Sequence, residues 1–162
     1  GKVIQIGPPE EILTEPADGY VAEFVQDVDQ GRVIDVGKVM HPAVILDPSR
    51  TLTECVDALG DRRGGFVCDA DGRPTALLAV TDAATALAHG TTDLAAVLRT
   101  DFDTTTAEAR FNDNYAAAGR GFPIAVVDGA GRLVGELEPQ EIMEEMGRVE
   151  HLVDGFEREV FL

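Results

Sequence analysis

The chain has 162 residues, 44% of them hydrophobic and 27% charged, enough apolar material for one core or two small ones and too much for a chain disordered throughout. Asp and Glu number 30 against 13 Lys and Arg, and the net charge of -17 argues against a nucleic acid polymer as partner and against adsorption to an anionic membrane. No apolar run approaches the roughly 18 residues of a membrane span, so direct membrane insertion is not expected either.

In chain order, KVIQIG reads as a short strand ending in the Gly7-Pro8-Pro9 turn. Its apolar stretch is too short for a signal peptide. PPEEIL then puts Pro and two acids at a helix start, where exposed amides favour negative charge. Tyr20, Val21, Phe24, Val25 and Val28 form one stripe of a helix over 19–28. Residues 31–38 read as a linker, with Val33, Ile34 and Val36 free to dock elsewhere.

The rest contains a repeat. GGFVCDADGRPTALLAVTDAATAL at 64–87 matches PIAVVDGAGRLVGELEPQEIMEEM at 123–146, with Gly72-Arg73 on Gly131-Arg132. That register sets Asp69 on Asp128, Ala76 on Gly135 and Asp82 on Glu141. Each copy reads strand, Asp/Gly turn, strand, helix. A further helix precedes each strand pair. Leu52, Cys55, Val56 and Leu59 share one face, with Thr51 or Ser49 as cap; Ala107, Phe111, Tyr115 and Ala118 share the other, with Thr104 to Thr106 as cap. Val149, Leu152, Val153, Phe156 and Val160 make an acidic amphipathic end. Cys55 and Cys68 lack metal spacing, and His41, His89 and His151 are far apart, so the cysteines read as small core residues, with no metal site and no disulfide framework.

VMHPAVILDPSRTL at 39–52, followed by the duplicated pattern, resembles a tandem CBS module over about residues 38–146. The resemblance implies an α/β fold of the Bateman type: two CBS repeats, each a small sheet with two helices. Such modules hold adenine nucleotides or related metabolites between paired repeats, commonly dimerise, and control an attached enzyme, channel or transporter. The head, KVIQIGPPEEILTEPADGYVAEFVQDVDQGRVI at 2–34, is similar to the end of the ATP-binding subunit of a glycine betaine/proline-type ABC importer. The implied organisation is a nucleotide-binding-domain tail at 1–30, a linker at 31–38, CBS repeats at 39–90 and 91–146, and the acidic segment at 147–162. No G-x-x-x-x-G-K-[ST] run is present in these residues, so they read as a regulatory fragment that does not hydrolyse ATP and has no catalytic residues.

Ribose-binding CBS repeats often carry Gly-x-x-Thr-x-x-Asp after their second long strand. Residues 76–82 keep only Asp82, which reads either as a helix cap or as an acceptor for ribose hydroxyls. At 135–141, Glu138 replaces the Thr and Glu141 the Asp, giving an acidic helix start or a ribose contact. Glu138 repels a phosphate unless a cation intervenes. Gly65 and Phe66, and Arg120 and Phe122 around Gly121, precede the first long strands and stand either as turn and packing residues or as contacts for a base or phosphate. Val44 lines either a base pocket or the core. The resemblance therefore implies a homodimeric module attached to a parent ABC ATPase domain and, through it, a membrane permease subunit, at the cytoplasmic face of the membrane. Its signal is an adenine nucleotide, cyclic di-AMP or ionic strength. A purely structural dimerisation module, or a CBS pair from another host enzyme, are the rival readings.

Overall fold

The computed structural model describes residues 3–17, 19 and 34–144. Beyond Gly19 the helix expected over 19–28 lies outside the described residues, as does the acidic segment 147–162. Helix α1 (Pro9–Thr14) begins with Pro at its first position, as PPEEIL predicts. The strand expected over KVIQIG does not form at residues 3–6. Gln5 instead folds onto the chain beyond α1: its side chain donates to the Glu15 carbonyl at 3.1 Å and accepts from the Ala17 amide at 2.7 Å.

The duplicated pattern folds twice. In the first half, α2 (Val36–Val39) leads to α3 (Leu52–Leu59), the hairpin β1 (Gly64–Cys68) and β2 (Pro74–Ala79), and α4 (Val80–Ala88). In the second half, a 3-10 turn at Leu94–Ala96 leads to β3 (Thr104–Thr106), a 3-10 turn at Phe111–Asn114, α5 (Tyr115–Ala118), β4 (Ile124–Val127), β5 (Leu133–Leu137) and helical residues 139–144. Both hairpins are antiparallel and both slip register at the matched pairs Val67/Cys68 and Val126/Val127. Asp69 Oδ1 accepts from the Asp71 and Arg73 amides, each at 2.9 Å. Asp128 Oδ1 does the same for Ala130 at 2.9 Å and Arg132 at 3.0 Å. Gly72 and Gly131, both at φ 81°, complete turns that a side chain would strain.

Thr51 caps α3 in a reciprocal box with Glu54. The expected cap at Thr104 to Thr106 is not one: these residues form β3, parallel to β4. The helix expected behind them splits into a 3-10 turn and one turn of α-helix. The Asn112-Asp113-Asn114 run accounts for this, since short polar side chains compete with the helical ladder, and Asn114 Nδ2 donates to the Arg110 carbonyl at 3.1 Å.

Strand alternation sorts side chains into three layers. Val67, Ala76 and Leu78 face α3 and α4 in one core with Leu46, Leu52, Cys55 and Leu59. Ile124, Val126 and Leu137 face a second core with Phe111, Ala118 and Ile142. The opposite strand faces meet in a seam between the halves, built on Phe66, Leu77 and Ala125 with Phe102 and Phe122 against them. Each wholly buried Leu or Phe here is worth about 1.5–3 kcal/mol. Both thiols are free; burial pushes them up from their ordinary range, with the neighbouring carboxylates acting in the same sense.

The leading segments cross over. Val36, in the stretch expected as a linker, packs into the second core, and its amide donates to the Ala109 carbonyl at 2.9 Å. Leu94 packs into the first core in the same way. The His41 and Glu136 backbones pair across the halves, matched by Leu77 and Arg99. Each half is thus completed by residues that precede the other.

Candidate functional site

The two acids at matched helix starts, Asp82 and Glu141, each meet a base from the crossing segment. Arg99 grips Asp82 with two donors, Nε to Oδ2 and Nη2 to Oδ1, the latter at 3.1 Å. His41 Nε2 stands 2.8 Å from Glu141 Oε1. These are the same contact made twice, because His41 and Arg99 occupy matched ends of the leading segments.

Around Asp82 stand an aromatic ring and two arginines, with Asp101 and Asp103 beside them. The Arg99 guanidinium lies 4.2 Å from the centre of the Phe122 ring, so one cation joins a carboxylate to an aromatic face. Arg120 reaches Asp103 Oδ1 at 3.4 Å and the Asp101 carbonyl at 3.3 Å, on the segment that follows Arg99. Asp82 does not cap α4. Helix α4 runs straight on from β2 with Ala79 at the cap position, and the Val80 amide donates to the Arg63 carbonyl at 2.8 Å instead. Asp82 therefore projects from the first helical turn.

Around Glu141 the surroundings are acidic. Arg63 holds Gln140 at 2.7 Å. Arg62 reaches Glu138 Oε1 at 3.3 Å and donates from Nε to Glu136 Oε1 at 2.8 Å. The cation beside Glu138 is thus the protein's own. Glu136 is wholly buried, and burial pushes its carboxyl above the usual range; Arg62 opposes this and Glu138 adds to it. Its place was readable in the repeat register, which sets Glu136 on the buried seam residue Leu77, but an acidic stretch hides one buried acid.

Asp82, Phe122 and Arg120 come together through Arg99 and the segment that follows it. Glu141 belongs to the matched position on the other side. Val44, Gly65 and Phe66 sit in packing. The Val44 carbonyl accepts the Phe66 amide at 2.8 Å, a side chain at Gly65 meets Leu59 at 2.8 Å, and Phe66 is wholly buried, edge-on to Phe102 at 5.7 Å. An open cavity of about 320 Å³ beside α3, lined by Ile45, Leu46, Asp47, Arg50, Glu54, Cys55 and Ala58, includes neither acid. Among the described residues, no group of three metal-ligating side chains is gathered, and no helix is long and apolar enough to cross a membrane.

The crossed, duplicated architecture has close counterparts. A CBS domain protein of Pyrobaculum aerophilum, PAE2072, complexed with AMP, superimposes with a TM-score of 0.63 at 20% identity, over 75% of this chain and 99% of that one. The chain has the fold of a tandem CBS domain pair. Staphylococcus aureus OpuCA superimposes with a TM-score of 0.54 at 18% identity, over 66% of this chain and 94% of that one. In sequence, the chain is 32% identical over 139 residues to the glycine betaine transport ATP-binding protein OpuAA of Bacillus subtilis (strain 168). That match takes in 83% of this chain and 33% of the relative, so this CBS pair spans about a third of the length of the protein it matches. No protein-family model matches the chain. The resemblance of the CBS pair to glycine betaine-type ABC ATP-binding subunits rests on that sequence match.

Proposed function

We propose that this CBS pair is the regulatory module of an ABC importer ATPase for compatible solutes of the glycine betaine/proline type. It sits at the cytoplasmic face of the membrane, as a homodimer joined to its ATPase domain and through that to a permease. The module binds one adenine nucleotide per CBS pair, on the Asp82 side, and the bound ligand biases the transporter between active and inactive states. The observation that carries this is the Asp82–Arg99–Phe122 arrangement. It offers a carboxylate for ribose hydroxyls, an aromatic face for a base and a guanidinium for phosphate, with Arg120 nearby. The matched Glu141 side carries Glu138, which repels a phosphate. The AMP in the P. aerophilum relative supports the ligand class. The proposed boundaries remain those of the sequence reading, with repeats at 39–90 and 91–146.

Thermal melting with AMP, ATP and cyclic di-AMP at constant ionic strength tests the reading. One nucleotide is expected to raise the melting temperature saturably, by the equivalent of about 2.7 kcal/mol at a hundredfold excess over Kd. Asp82→Asn removes the shift and Glu141→Gln keeps it. A second reading follows from the same contacts: both helix-start acids are already engaged by internal bases, as a purely structural dimerisation module would have them. No shift with any nucleotide, beside a stable two-fold dimer in sedimentation, decides for that reading.

A further inference from the structure

Three charged groups meet at the seam, and their charges do not balance. Arg62, from the loop between α3 and β1, is the cation; Glu136 and Glu138, at the end of β5, are the acids. The Arg62 guanidinium serves Oε1 of both carboxyls, and its Nη2 also donates to the Pro42 carbonyl at 3.2 Å. Oε2 of Glu136 and Oε2 of Glu138 are both out of solvent and have no hydrogen-bond partner. Glu136 itself is wholly buried. Two ionised carboxylates against one guanidinium leave a net negative charge in the seam, with two desolvated lone-pair oxygens that nothing satisfies. Both faults are removed by one proton.

We propose that Glu136 keeps its proton in the folded protein and donates it to the Glu138 carboxylate, and that the two acids with Arg62 form a neutral lock between the two CBS repeats. The protonated oxygen becomes a donor to the other carboxyl, so an orphan acceptor gains a partner and the charges sum to zero. Burial acts in the same direction on Glu136. Of the other charged groups around the cluster, Asp61 is exposed and acts on Arg62 in the same sense as the two glutamates, whereas the His41 ring holds Glu141 and Arg63 holds Gln140. From β4, the residue registered against Glu136 is Ala125, which carries no charge. Because the acids lie on the second half and the arginine on the first, losing the proton places an uncompensated charge in the contact that joins the halves. The pair is thus a proton-binding site, and its occupancy tunes how firmly the repeats hold together.

The sign follows from linkage. In the unfolded chain Glu136 ionises near the ordinary value, about 4.3, whereas in the folded chain it keeps its proton above that pH. Stability from this proton is complete at the acid end and is lost as pH rises from about 4.3 through the folded value. The test is denaturant unfolding of the 162-residue chain from about pH 5 to about pH 8, beside Glu138→Gln, with infrared spectra of both. In the unsubstituted chain the folding equilibrium constant is expected to fall relative to the variant, by up to tenfold per pH unit while the proton is held. A protonated-carboxyl band is expected near neutral pH and disappears in Glu138→Gln. If Glu138→Gln fails to fold, Glu136→Gln takes its place, and the band in the unsubstituted chain needs neither variant. Parallel pH profiles, or no protonated-carboxyl band near neutral pH, overturn the proposal.

Discussion

Gly135→Ala is the most demanding test of how the halves are joined. In the repeat register Gly135 corresponds to Ala76, a buried residue of the first core, so the repeat alone predicts that alanine is tolerated. The structure predicts the opposite. A Cβ at Gly135 lies 2.8 Å from Met40 Sδ and 2.9 Å from the His41 carbonyl oxygen. The methionine can swing aside, but the carbonyl cannot. It accepts the Glu136 amide at 2.8 Å, while the His41 amide donates to the Glu136 carbonyl at 2.9 Å. The added methyl group must therefore push the leading segment off β5, with Val36 and Met40 behind it in the second core. Overpacking of this kind costs about 1–3 kcal/mol. For a chain of this size each kcal/mol lowers the melting temperature by about 2–4 °C, so the expected fall is about 2–12 °C. Gly129→Ala is the control, because a Cβ there meets nothing within 4 Å, and its effect should stay within about 0.5 kcal/mol. Calorimetry on the two variants decides. If Gly135→Ala melts with the control, the crossing segment is not held at His41, and the account of the seam fails.

Two further outcomes are expected. Arg62→Met leaves Glu136 and Glu138 without their cation and should cost about 3–5 kcal/mol at neutral pH in urea unfolding. That loss should shrink as pH is lowered, because protonating the buried Glu136, whose carboxyl burial already pushes up, removes charge that the arginine balanced. Thr51→Ala removes one side of the capping box of α3 and should cost about 1 kcal/mol by the same measurement, with nucleotide response unchanged.

Local features were legible in the chain itself, because they depend on residues close in sequence. Pro9 starting α1, Thr51 capping α3, and the Asp69 and Asp128 turns each need only a few neighbours. The repeat register carried further, since a 59-residue offset between matched turns aligned both hairpins down to their register slips. It also placed Asp82 and Glu141 at equivalent positions. What those acids do was decided by contacts over long sequence separation. His41 and Glu141 lie 100 residues apart, and Arg62 and Glu136 lie 74 apart. No periodicity reports such pairs, because alternation along a strand says that two faces differ but not what covers each face. Leu77 and Glu136 share one strand position, yet one completes an apolar seam and the other needs an arginine from the opposite half. The crossing of Val36 and Leu94 was likewise beyond the sequence. An apolar residue records the need for burial, and only the tertiary fold selects which of two similar cores provides it.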